Sequence, residues 1–433
     1  MKRTRGFFAL VGASLLDLFD QGTAFGRFAL VHVLMMAGDT LVTISLAGSL
    51  FFSVSPDTAK IKVLAYLALT IAPFAVVSPL LGPLIDRARH GRRFLVAISG
   101  GARALLCFSM ATHLTSLWLF PEAFVVLISS KLYVVTRGAL VPQMARTEQF
   151  AHHRASLSRA GWPSSDPDGP SGFAGFNAQL TLLGTLAGFV VGFIGAAILK
   201  TAGASWVLYL ATVVFVVSVG ASTRLVAPKK ASSDGAQLSQ LERDHIRLNP
   251  LGNSEVAWGL FAATAMRAGV GFATFLLAFG LRREHANLGL YALALSASGV
   301  GSMLGLAFVT RMRTIRSEPT LLFAALFFAG MGAFFVSLQP LLGWQVLLAG
   351  WLGLAASVLQ PSFDSLTQRN ISEGSQGRTF ARFAVRQQLA WVIGALVPVA
   401  VPLAFGFGDR ILSVALLISS FWYVVGRKQR APR

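Results

Sequence analysis

Residues 173–199 read FAGFNAQLTLLGTLAGFVVGFIGAAIL, 27 residues without one ionisable side chain. A helix needs about 20 mostly apolar residues to cross the hydrocarbon of a bilayer. This stretch exceeds that length, and a soluble helix hydrophobic on every side would need a far larger core around it. Working outward from it, the rest of the chain has the same character. Of 433 residues, 54% are hydrophobic and 13% charged. The mean hydropathy is +0.64. The chain reads as an integral membrane protein.

Twelve apolar stretches have spanning length, at about 24–50, 62–81, 94–113, 117–141, 173–199, 204–226, 256–281, 288–310, 320–338, 342–362, 383–405 and 409–426. Each is expected to be helical, because lipid offers the backbone no hydrogen-bond partner. Pro73 and Pro79 in the second span and Pro398 and Pro402 in the eleventh are expected to kink their helices rather than end them. The fold class is therefore all-α, twelve transmembrane helices.

Lys and Arg orient the spans. With each base at a span edge counted in its adjoining loop, the N-terminus and every second loop carry 25 bases, and the other side carries 6. That split predicts cytoplasmic N- and C-termini. It also accounts for the net charge of +19 as a topology signal. No basic stripe is interleaved with exposed aromatics, so no nucleic-acid partner is expected. Lys2, Arg3 and Arg5 precede an apolar run broken by Asp17 and Asp20, which predicts an uncleaved interfacial helix resting on membrane lipids.

The longest polar linker divides the spans six and six. The expected organisation is an N-terminal segment 1–23, a six-helix bundle 24–227, a linker 228–255, a second bundle 256–427 and a tail 428–433. Two such halves are the architecture of repeat-built secondary transporters. Neither a metal site nor a cofactor motif is present. Cys107 is the single cysteine, and the pair His152 and His153 lies in a cytoplasmic loop, where solvation is the ordinary state.

The loop between the second and third spans reads GPLIDRARHGRR (82–93). Gly82, Asp86, Arg87, Gly91, Arg92 and Arg93 follow in the order of a family signature, with Arg89 and His90 lengthening the turn by two residues. Here the chain resembles the major facilitator superfamily. That resemblance implies two six-helix bundles that rock about a central site, with this loop as a gating element. Gly38-Asp39, Arg103 and ALVPQM (139–144) resemble the drug- and siderophore-exporter branch. Gly184, Gly188, Gly192 and Gly195 stand four apart, a ridge that suits close helix packing. The antiporter motif of this region has a Pro that the present chain lacks.

A charge at mid-bilayer is costly and normally faces a cavity or a partner. Asp39, Arg103, Lys131 and Arg267 lie near mid-span. Glu122 and Arg137 lie nearer their span's ends, where snorkelling is open to them. By the resemblance, Asp39, Lys131 and Arg267 would face the central cavity. Asp39, read as the one mid-membrane acid, is the candidate for proton coupling. The competing reading pairs it permanently with Arg103 or Lys131. Arg103, Lys131 and Arg267 are the substrate candidates. One acid against three bases leaves a positive cavity, which favours an anionic or zwitterionic substrate.

The expected function is secondary active transport of a small amphipathic molecule across the plasma membrane. Alternating access coupled to protons, in the direction of export, follows from the branch resemblance. The expected protein is a monomer and not an enzyme, since no paired carboxylates, HExxH or Ser/His dyad lies in the spans. Two alternatives stand beside this: a lipid or lysolipid translocator, and a non-transporting scaffold or receptor of the same fold.

Overall fold

The structure is a computed structural model. It describes residues 24–46, 91–114, 116, 118–145, 174–225, 254–312, 317–339, 341–371 and 375–429. The described residues form eleven long helices. These are α1 (Ala24–Leu46), α2 (Arg92–Thr112), α3 (Leu119–Ala145), α4 (Ala174–Thr201), α5 (Ala204–Ser222), α6 (Ser254–Arg283), α7 (Leu288–Met312), α8 (Glu318–Leu338), α9 (Leu342–Asn370), α10 (Gln376–Ala400) and α11 (Phe405–Gln429). All eleven have the length and hydropathy needed to cross a membrane. The expected span 62–81 lies outside the described residues, as do residues 1–23 and nearly all of the expected linker 228–255.

Several helices run past the expected span edges. α9 continues through Asp364, Thr367, Gln368 and Arg369 to Asn370, and α10 begins at Gln376. Apolar composition marks where lipid can be, whereas a helix ends where its backbone hydrogen bonds stop or a cap forms. One expectation is corrected. Pro398 lies inside α10, but the helix ends at Ala400 and Pro402 sits in the connection to α11. Pro402 has no N–H to offer the carbonyl one turn back, so the helix is not continued there. The α4–α5 connection is closed differently. Ala202 and Gly203 both donate to the Ile198 carbonyl, at 2.8 and 3.1 Å. Gly203 adopts φ +93, a conformation that L side chains rarely reach.

The chain divides into two compact units. Residues 1–164, 179–233 and 373–382 make the first, and residues 165–178, 234–372 and 383–433 the second. In the first unit α5 packs on α1 and α2, and α2 on α3. A buried cluster of Leu95, Leu132, Val135, Ala139, Phe380 and Ala381 lies in this unit. In the second unit α7 packs on α9, α8 on α9 and α11, and α6 on α9 and α11. The α7–α9 crossing is tight because Gly301 and Gly353 face the backbone carbonyls of Gly350 and Ser298, leaving no room for a Cβ. Across the crossing, Ser357 Oγ donates to the Ser302 carbonyl at 2.9 Å and Ser302 Oγ to the Gly353 carbonyl at 3.3 Å. Small residues and hydroxyls hold helices together where apolar burial gives no advantage over lipid.

The glycine ridge of α4 behaves otherwise. A Cβ on Gly184 would meet His32 and Met36, on Gly188 Thr40, on Gly192 Thr40 at the edge of contact, and on Gly195 Leu41 and Ile44. All four face side chains of α1 rather than its backbone.

Candidate functional site

On α1, His32, Met36, Asp39, Thr40 and Thr43 recur at the spacing of one helix face. With Ile44, they line a cavity of about 510 Å³ in the first unit, whose wall also takes in Thr181, Gly184, Thr185, Gly188 and Phe189 on α4 and Arg137 on α3. The glycines of α4 leave this space open, since none carries a side chain to fill it.

Arg103 is the structural centre behind that wall. Its side chain is wholly buried while Asp39's is 23% exposed, and Nη1 donates to Asp39 Oδ1 at 2.6 Å. Nε donates to the Ser99 carbonyl at 3.0 Å, and Nη2 to Ser99 Oγ at 2.9 Å and Met35 Sδ at 2.8 Å. The guanidinium also stands over the Phe215 ring at 4.7 Å and the Tyr133 ring at 5.7 Å. Gly38 makes this possible: a Cβ there would run into the Phe215 ring. The second oxygen of Asp39 accepts from Ser130 Oγ at 2.7 Å. Both ions thus have short, charge-assisted partners, as a charge inside a membrane requires.

Next to this pair, His32 Nδ1 and the Tyr133 hydroxyl lie 2.9 Å apart, and their rings stack with centroids 5.9 Å apart. Arg137 Nη2 donates to Thr181 Oγ1 at 3.1 Å. Arg137, to which snorkelling was open by its place in the span, lines the cavity. It reaches α4 because Tyr133 and Arg137 lie one turn apart on the same face of α3. Glu122, at the other end of α3, accepts from Ser109 Oγ at 2.5 Å.

The structure brings Asp39 and Arg103 together. Lys131 is half-buried on α3 and is not among the residues that line this cavity. Arg267 is exposed on α6 in the second unit, close enough to Asp364 for that carboxylate's charge to bear on it. Of the loop signature, Gly82, Asp86 and Arg87 lie outside the described residues. Gly91 caps α2, and its carbonyl accepts from Phe94 N at 2.8 Å. Arg92 is buried and donates to the Ala139 carbonyl at 2.8 Å, while Arg93 is exposed.

Asp39 is not the only acid within the membrane helices. Asp364 lies in α9 and Asp409 in α11. Glu318, at the start of α8, is buried and pairs with Arg369 at 2.8 Å while accepting from Ser365 Oγ at 2.6 Å. Hydropathy placed Asp364 and Asp409 at or beyond span edges, although the helices carry them inward. His32, Ser130 and Tyr133 were also missed. Their recurrence with Asp39 and Arg137 along helix faces was the available signal. Among the described residues, no group of three His, Cys, Asp or Glu could hold a metal ion.

The family model of the Major Facilitator Superfamily matches residues 171–395. The chain belongs to the major facilitator superfamily. It is 27% identical over 424 residues to an uncharacterized protein of Mycobacterium leprae, covering 88% of this chain and 68% of that one. An uncharacterized protein of Mycobacterium tuberculosis is likewise 27% identical, over 88% of this chain and 70% of the relative. Among solved structures, the human organic anion transporter MFSD10 (TETRAN) superposes with a TM-score of 0.69 at 17% identity, over 93% of this chain and 99% of that one. A bacterial homologue of the iron transporter ferroportin, in an outward-facing state, gives a TM-score of 0.69 at 14% identity, over 94% and 99%. At those identities the likeness is one of fold. This member of the superfamily is accordingly a multi-pass membrane protein with the fold of membrane transporters, a family that binds small-molecule substrates and is generally not enzymatic.

Proposed function

We propose that the protein is a secondary active transporter of a small amphipathic anion or zwitterion, working by alternating access and driven by protons. The observation that carries this reading is the Asp39–Arg103 pair beside a cavity that also presents His32 and Arg137. Arg137 stands on the same wall with Thr181 beside it, a guanidinium and a hydroxyl suited to a negative substrate group. The Asp39–Arg103 pair also links the two ligands. A proton that neutralises Asp39 removes Arg103's counter-ion, and the buried guanidinium must then find another.

This linkage bears on direction. An anion drawn to Arg103 by protonation of Asp39 would travel with the proton. Export in exchange for protons instead requires the anion to sit against Arg137 and Thr181, and to leave before Asp39 is protonated. We place the protein in the drug- and siderophore-exporter branch and favour exchange, on the Gly38-Asp39 pair and Arg103. The same reading includes twelve spans with both termini cytoplasmic, bundles at 24–227 and 256–427 joined by residues 228–255, and action as a monomer in the plasma membrane. Lys131 and Arg267 remain proposed substrate contacts, and Gly82 to Arg93 the proposed gating loop.

The test is transport by proteoliposomes loaded with naphthalene-1-sulfonate, an amphipathic anion, under an imposed pH gradient. Exchange predicts that acid outside accelerates efflux, whereas co-transport predicts that acid inside does. Asp39→Asn, which removes the charge while its amide oxygen can still accept from Arg103 and its amide N–H can donate to Ser130 Oγ, should abolish the gradient dependence in a protein that folds, less stably because Arg103 loses its counter-charge. Undiminished gradient-driven transport would remove Asp39 from the coupling role. Transport of 1-naphthylmethylammonium in place of the sulfonate would overturn the anion reading.

A further inference from the structure

The second unit holds a cavity of its own, about 320 Å³, bounded by α6, α7, α9 and α11. That volume lies at the small end of ligand pockets, which run from about 300 to 1,000 Å³. Leu277, Leu295, Leu348 and Leu352 give the wall its apolar character. The hydroxyls of Thr274 and Ser302 are spent on helix carbonyls, at 2.7 and 2.8 Å. No Lys, Arg or His is among the lining residues.

Asp409 and Gln345 also line this cavity. Both are buried, with relative exposures of 0% and 3%. Gln345 Nε2 donates to Asp409 Oδ2 at 2.6 Å. Asp409 Oδ1 is buried and meets no donor among the described residues. A buried polar atom left without a partner is costly, and a buried carboxylate more so. Gln345 cannot serve both oxygens, and the rest of the wall offers no cation.

We propose that this cavity is a binding site for a small lipophilic ammonium ion. Its N–H donates to Asp409 Oδ1, its charge answers the carboxylate, and its apolar body lies against α6, α7 and α9. Gln345 holds the other carboxylate oxygen and so fixes the direction in which Oδ1 points. The site is selective for charge, because an anion would meet an acid with no base to offset it. A neutral alcohol of the same shape gains the apolar contact and only a weaker hydrogen bond. The site is independent of the transport reading, since it contains neither Asp39 nor Arg103 and is tested by binding.

The experiment is calorimetric titration of the full chain in non-ionic detergent at pH 8 with three probes of one body: 4-phenylbutylammonium, 4-phenylbutanol and 4-phenylbutanoate. The ammonium should bind at least tenfold more tightly than the alcohol, and the carboxylate should not bind. Asp409→Asn should weaken the ammonium at least tenfold and leave the alcohol unchanged. Ala349→Phe, which fills the cavity and leaves the acid in place, should weaken ammonium and alcohol together and serves if the Asn variant does not fold. The proposal fails if the ammonium binds no better than the alcohol, which would mean that Asp409 holds its own proton there. It fails equally if no ammonium binding is seen, if the ammonium preference survives Asp409→Asn, or if ammonium binding is undiminished in Ala349→Phe.

Discussion

Asp39 and Asp409 are both acids set in apolar helices, and the two units hold them in opposite ways. Asp39 has a guanidinium on one oxygen and a serine hydroxyl on the other, with two aromatic rings flanking the base. Asp409 has one amide and an oxygen without a donor. The difference separates two uses of an intramembrane charge. A saturated pair resists change until a proton breaks it, which suits a coupling element. A half-satisfied acid awaits a ligand. The contrast also predicts opposite costs of removal. Truncating one member of the saturated pair strands its partner, whereas neutralising the lone acid relieves a burial penalty.

The largest effect should come from Asp39→Ala. Arg103 is fully buried, and breaking a buried pair by deleting one partner costs about 3–5 kcal/mol. Unfolding in mixed micelles measures this, and adding Arg103→Met should recover most of the loss, because the charge left without a partner is then gone. A loss below about 1 kcal/mol for Asp39→Ala would show that water or another acid supports Arg103, and the distinction between the two acids would fall. Gly38→Ala probes the same pair from behind. Its new Cβ would displace the Phe215 ring from beneath the guanidinium, an overpacking cost of about 1–3 kcal/mol. If that variant is as stable as the parent, Phe215 is not part of what fixes Arg103.

On the other side of the comparison, Asp409→Asn should change stability by less than about 1 kcal/mol, or raise it, because removing a partly unsatisfied buried charge relieves its desolvation. A loss as large as that of Asp39→Ala would mean that Asp409 is held by a partner outside the described residues.

How much of this was legible in the sequence depends on which physical quantity set the feature. The helices were legible because hydrophobic length is itself what the bilayer demands. Their ends were not, as α9 and α10 show, because caps and hydrogen bonds set them. Asp39 and Arg103 stood out as mid-span charges, yet their pairing was left open between Arg103 and Lys131. The choice depends on how α1, α2 and α3 rotate against each other, and no spacing within one helix encodes that. Span position left snorkelling open to Arg137, and it could not show that Arg137 meets Thr181 of α4 on the cavity wall. The glycines of α4 were conspicuous by their period. Gly301 and Gly353 were not, although they permit the closer, backbone-to-backbone approach. Asp409 was hidden by an edge, because the start of a span is where an acid arouses no suspicion.

The smallest effect is the one that resolves what holds Asp39. Ser130 Oγ occupies the oxygen that Arg103 does not. Hydrogen bonds between membrane helices average about 0.6 kcal/mol in double-mutant cycles, since the groups find other partners when separated. Ser130→Ala should therefore cost about that much, and the cost should vanish on an Asp39→Ala background. The cavity is what keeps the effect small: with Asp39 partly exposed on its wall, water can replace the hydroxyl. A cost above about 2 kcal/mol would mean that water does not reach that oxygen. Asp39 would then be as dry as Asp409, and the contrast between the two acids would reduce to the presence of Arg103 alone.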